Sequence, residues 1–137
     1  MRISKASAEQ RRGRAGRLEP GVCYRLWTQP EDRALAAYDE PEMLTVDLAP
    51  LALDLAAWGV ADPAALTWMT PPPAAAYSQA VDLLKRLDAL DASGRITPEG
   101  KAMAALPLHP RLAHMIHRAP EVGATGTACD LAAVLAG

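Results

Sequence analysis

The chain has 137 residues, half of them hydrophobic, and a formal net charge of −2; it can hold one ordinary domain or two small ones around a core. It contains no signal peptide and no apolar run near the roughly 18 residues of a membrane span, so neither export nor membrane insertion is supported. The charge is uneven, because residues 1–25 hold seven Arg or Lys against Glu9 and Glu19, a balance of +5 that leaves −7 for the remainder, and a polyanion-facing function therefore belongs to the amino-terminal end.

The first element is Gln10 to Arg17, which reads QRRGRAGR and places four arginines within seven residues. If the segment is helical, Gln10, Arg14 and Arg17 recur at i, i+4 and i+7, so that one amide and two guanidinium groups share a face. Arginine is charged at any relevant pH and grips phosphate oxygens in a bidentate fork. Gly13 and Gly16 allow close backbone approach at a cost of about 1 kcal/mol per helical position, which suggests a tight site. Arg12 lies off the shared face. Arg2 to Ala8 lead straight into this motif with no sheet ahead of it, so the start reads as truncated. Val22 to Trp27 alternates Val22, Tyr24 and Leu26 against Cys23, Arg25 and Trp27, the pattern of a strand. If the other strands of a sheet are absent, its edges are unpaired and the segment should seek a partner, stay disordered or pair between copies of the chain.

Thr28 to Glu40 is polar and alanine-rich, with a short helix around Glu31 to Ala37. Pro41 and Glu42 suit a helix start, and Leu44, Leu48, Leu51, Leu55 and Trp58 follow at steps of four and three, the apolar stripe of an amphipathic helix closed by Gly59. Pro50 falls inside that run and predicts a break near Leu48. Asp62 and Pro63 read as a cap and first turn of a short helix to about Trp68, and Pro71 to Pro73 end it. A further helix from Ala74 to Leu90 sets Tyr77, Ala80, Leu84, Leu87 and Leu90 on one side.

Asp91 to Gly94 is turn chemistry, and Arg95 to Thr97 reads as a short strand. Thr97 and Pro98 open a helix to about Leu106; Arg111 to Arg118 forms another, with Leu112, Met115 and Ile116 inward. Asp130 to Ala136 begins one more.

The run QRRGRAGR resembles motif VI of superfamily 2 helicases in its DEAH-box form, and its continuation LEPGVCYRLW is similar to that of the bacterial HrpB-type RNA helicases. The segments AWGVADPAALTW and ALDASGRITPEG resemble that family's winged helix, and PLHPRLAHMIHRAP resembles the opening of its ratchet bundle. The resemblance implies a mainly α fold: residues 1–29 as the tail of a second RecA-like α/β lobe, 30–97 as a winged-helix domain of three helices and a short β wing, and 98–137 as the first helices of a helical bundle.

The same resemblance implies a cytoplasmic C-terminal piece of an ATP-dependent RNA helicase acting on single-stranded RNA. ATP and magnesium would be held mainly by RecA-like lobes supplied in cis. Gln10 would orient the attacking water, Arg14 and Arg17 would meet the γ-phosphate as arginine fingers, and Arg11 would support them or bind a neighbouring carboxylate, with Gly13 in the nucleotide-binding set. There is no GxxxxGK[ST] loop and no Asp-Glu pair of the Walker B kind, so the segment alone should not hydrolyse ATP.

Arg111, His114 and Arg118, at i, i+3 and i+7, form a basic stripe that in the family would touch RNA backbone; a solvated helix face accounts for them equally well. His109, His114 and His117 cluster within nine residues, but His114 and His117, three apart on one helix, would need a further ligand to hold a metal, and neither Cys129 nor Asp130 stands at a spacing that identifies it as one. Cys23 and Cys129 are far apart without CxxC spacing and suit a reducing cytosol. As a reading element for DNA, Ala74 to Leu90 offers Lys85 and Arg86 against Asp82 and Asp88, which is poor base-reading chemistry. Trp27, Trp58 and Trp68 read as core or inter-domain packing. An alternative of another class is a non-enzymatic winged-helix nucleic-acid binder with an arginine-rich arm.

Overall fold

Seven α-helices organise the computed structural model, which describes residues 3–137; Arg2, the first charge of the basic segment, lies outside them. The chain separates into two compact units, Met1–Pro41 and Glu42–Gly137.

In the first unit, α1 (Lys5–Ala15) starts at Ser4, whose buried hydroxyl accepts from the Ser7 amide at 3.0 Å. Two of its otherwise unpaired first-turn amides donate to the carbonyls of Ala36 and Ala37 at 2.8 and 3.0 Å. The helix ends at Gly16. The short α2 (Gln29–Ala34) opens with a reciprocal capping box between Thr28 and Glu31. Between them, Val22 to Trp27 is not a strand. Among the described residues no neighbouring strand supplies the ladder that a lone extended segment needs to satisfy its amides and carbonyls. Val22, Tyr24 and Leu26 are accordingly exposed.

The second unit holds the apolar core. A 3₁₀ turn at Glu42–Leu44 precedes α3 (Ala49–Ala57), which begins where a break was predicted, with Pro50 in its first turn. The middle of the expected stripe faces inward, with Leu48 and Leu55 buried beside Ala49, Ala52 and Leu53 and Leu51 packed against them, whereas Leu44 lies outside the helix and Trp58, at its end, is 76% exposed. Trp58 is therefore not core, contrary to the stripe that a continuous helix would give. Gly59, with φ of 82°, closes α3 through bonds from its own amide to Ala56 and from the Val60 amide to Leu55, a left-handed C-terminal closure that suits glycine. The segment after Asp62 forms only a 3₁₀ turn, Pro63–Ala65, and Trp68 donates its indole N–H to the Pro63 carbonyl at 2.8 Å.

Helix α4 (Ala74–Arg86) buries Tyr77, Ala80, Leu83 and Leu84, the last completely. It stops short of Leu90 because Asp88 takes the left-handed conformation (φ 56°) and the Ala89 amide turns back to Leu84. The strand expected at Arg95 to Thr97 is reduced to one antiparallel bridge, Leu90 to Ile96. The turn is held locally instead: the Asp91 carboxylate accepts from the Arg95 amide at 2.9 Å and from the Ser93 hydroxyl at 2.6 Å. Helix α5 (Pro98–Ala104) is capped by Thr97 and buries Met103; α6 (Pro110–Arg118) buries Pro110 and Ala113. A 3₁₀ turn, Ala119–Val122, leads into α7 (Thr125–Ala136), which begins five residues earlier than its apolar pattern suggested. Helix α3 packs on α4 and α5, α5 on α6, and α6 on α7.

Candidate functional site

The arginine-rich segment lies in the first unit, mostly on α1. Gln10 and Arg14 sit one turn apart on the helix, as the i, i+4 spacing requires. Arg17 does not join them there: the helix terminates at Gly16, so the third member of the predicted face follows the helix rather than extending it. The glycines explain this, since Gly13 and Gly16 each weaken the helix near an end where the last carbonyls have no partner. Arg12 and Arg14 in the last turn suit the negative end of the helix dipole. A Cβ at Gly13 or Gly16 would meet nothing within 4 Å, so the first unit does not itself crowd either glycine. The tight approach is at Gly21, where a Cβ would lie 1.8 Å from the Ala15 carbonyl oxygen as the chain doubles back.

The arginines divide into two groups. Gln10, Arg11, Gly13, Arg14 and Arg17 are all exposed, and among the described residues Arg11, Arg14 and Arg17 make no side-chain ion pair. Arg12, rather than Arg11, is the member that binds a carboxylate, with Nε 2.7 Å from Glu9. Arg25, expected only as one position of a strand face, reaches across two elements: one terminal nitrogen donates to Glu9 of α1 and the other to Asp32 of α2 at 2.8 Å. Asp32 also accepts from the Trp27 indole at 2.9 Å. Its carboxyl is held below the ordinary value, first by the Trp27 bond and then by Arg25. The Glu9 carboxyl is likewise held down, chiefly by Arg25. The signal that could have found this group is an arginine in an otherwise apolar alternation, flanked in sequence by acids on two helical segments.

In the second unit, Arg111, His114 and Arg118 lie along α6 as predicted, Arg111 and Arg118 exposed and His114 half-buried. Arg118 is paired with Glu121 at 3.0 Å, which diminishes the stripe's positive field. His109 caps α6: its Nδ1 accepts from the Arg111 amide at 3.2 Å. That fixes the proton on Nε2, which stands 3.1 Å from the Asp47 carboxylate. Among the described residues no three His, Cys, Asp or Glu side chains converge, and no helix is long and apolar enough to cross a membrane.

Residues 80–108 match the helicase associated domain (HA2), winged-helix. The ATP-dependent RNA helicase HrpB of Escherichia coli (strain K12) is 42% identical over 135 residues, covering 98% of this chain and 17% of that protein. The probable ATP-dependent RNA helicase DHX35 of Homo sapiens is 39% identical over 134 residues, covering 97% of this chain and 19% of that protein. The crystal structure of Escherichia coli DEAH/RHA helicase HrpB superposes with a TM-score of 0.80 at 42% identity, over 98% of this chain and 17% of that one. The chain thus spans less than a fifth of the length of these relatives. With a mainly helical fold, an HA2 match across α4 and α5 and this likeness over nearly its whole length, the chain belongs to the DEAH-box helicase family, as a segment carrying the family's winged-helix region.

Proposed function

We propose that this chain is the part of an ATP-dependent RNA helicase that presents motif VI to the nucleotide and couples it, through a winged helix and the first ratchet helices, to single-stranded RNA. In that reading residues 1–29 complete a RecA-like lobe, 30–97 are the winged helix and 98–137 open the helical bundle. The observation that carries it is the division among the arginines: Arg12 is neutralised by Glu9, while Arg11, Arg14 and Arg17 are exposed and without an acidic partner among the described residues. Free guanidinium groups beside an exposed amide fit a polyphosphate.

Gln10 would hold the attacking water, and Arg14 and Arg17 would stabilise the charge that develops on the transferred phosphoryl group, with Arg11 supporting them. An exposed Gly13 leaves the backbone open to the same ligand. Magnesium would be bound outside this stretch, on the RecA-like lobes supplied in cis, and it would neutralise phosphate charge there. In the intact cytoplasmic protein Val22 to Trp27 would pair within that lobe; without it the segment would pair between copies. Arg111, His114 and Arg118 would contact RNA phosphates.

The test is Arg17→Ala in the full-length protein that carries this segment. Hydrolysis should fall by about 10³-fold or more with RNA affinity retained. Intact hydrolysis, with weaker RNA binding and a salt slope lowered by about one, would favour a binding arm instead.

A further inference from the structure

We propose that Arg25 is a positioning residue for motif VI, setting the rotation of α1 about its own axis and so the direction in which Gln10 and Arg14 point. The inference rests on the motif VI reading above and adds to it a group outside the motif. Besides the packing of the buried Ala8 and the close approach at Ala15, helix α1 is tied to the rest of its unit by polar contacts in two places. The first is its amino end, where the backbone amides of Lys5 and Ala6 and the Lys5 ammonium are bonded to the carbonyls of Ala36, Ala37 and Arg33. This end-on tie holds the first turn and makes no polar contact with the middle of the helix, where Glu9 and Gln10 lie.

The second tie is Arg25. Its planar fork joins Glu9, at the middle of α1, to Asp32 of α2. Glu9 directly precedes Gln10, and at about 100° per residue its side chain leaves the helix a quarter-turn from Gln10. Arg12 pairs with Glu9 from the flank away from Arg14. The clamp therefore grips the side of the helix next to the proposed reacting face without occupying that face. The fork reaches the two carboxylates with separate terminal nitrogens, whereas a lysine ammonium would have to aim its donors at both from a single point. Trp27 fixes the far anchor by donating to Asp32.

The experiment is steady-state ATP hydrolysis by the full-length protein carrying Arg25→Gln, with Arg14→Ala in parallel. Arg25→Gln should lower kcat about 10- to 100-fold, the cost of a small misplacement of catalytic groups, while KM for ATP shifts less than about twofold and the melting temperature is nearly unchanged. Arg25→Lys should recover only part of the loss. If Arg25→Gln does not fold, Arg25→Lys and Glu9→Gln carry the test with the same expected split. Wild-type kcat in the folded variants, or a KM rise that matches the kcat loss, overturns the positioning role. If Arg14→Ala also hydrolyses ATP normally, the motif VI reading itself fails; if Arg14→Ala is inactive and the Arg25 variants are normal, only this inference does.

Discussion

Nε2 of His109 stands 3.1 Å from Oδ2 of Asp47, and the other oxygen of that carboxylate accepts from the Ala49 amide at 2.8 Å. One aspartate thus tethers the starts of α3 and α6, residues more than sixty positions apart. The Asp47 carboxyl is held below its ordinary value of 3.8, first by the Ala49 amide and, more weakly, by His109. A depressed carboxyl contributes stability that is complete above the unfolded value and is lost as pH falls through the lower folded one. Asp47→Ala should cost about 1 kcal/mol at neutral pH. Urea melts at stepped pH should find that difference closing only below pH 3.8.

Gly100 occupies the first turn of α5, buried against the carbonyl of Ala89. A Cβ there would lie 2.1 Å from that oxygen and 2.9 Å from Cγ1 of Ile96. Backbone cannot step aside as a flexible side chain can, so Gly100→Ala should destabilise by about 2–3 kcal/mol despite alanine's better helix propensity. Thermal unfolding of the purified chain would show it; an unchanged melting temperature would contradict the packing described for α5.

Asp88 closes α4 with φ of 56°, a conformation that costs an ordinary L-residue about 1–2 kcal/mol and glycine almost nothing. Asp88→Gly should raise stability by about 0.5–1 kcal/mol, since the bond it accepts from the Thr97 hydroxyl uses only its backbone carbonyl. In the opposite direction, Leu84→Ala at the centre of the core should cost about 2–5 kcal/mol. Chemical denaturation of the two variants side by side would check both signs.

Much of the second unit was legible because its signals are local. Thr97 and Pro98 marked a helix start, Pro50 marked the break that precedes α3, and Gly59 marked a helix end. What failed depended on where a pattern begins. Leu44 and Trp58 continue the apolar stripe only if α3 is twice its actual length, and Trp58 proves to be an exposed helix end. The Val22 to Trp27 alternation is a real strand pattern without a sheet among the described residues, and a period of two cannot say whether partners exist. In the candidate site, the spacing of Gln10 and Arg14 was readable, whereas the pairing of Arg12 with Glu9 and the reach of Arg25 to Asp32 depend on how the chain folds back after Gly21.

Which guanidinium groups are free for a nucleotide is tested most directly by the ATP hydrolysis rate of the full-length protein with Arg12→Ala compared with Arg14→Ala. Arg12 is already paired with Glu9, and Arg25 would keep Glu9 satisfied in its absence, so Arg12→Ala should hydrolyse ATP within about threefold of the parent. Arg14→Ala should lose about 10³-fold or more in kcat, as removal of an arginine finger does. Equal losses in the two variants, or a larger loss from Arg12→Ala, would contradict the assignment.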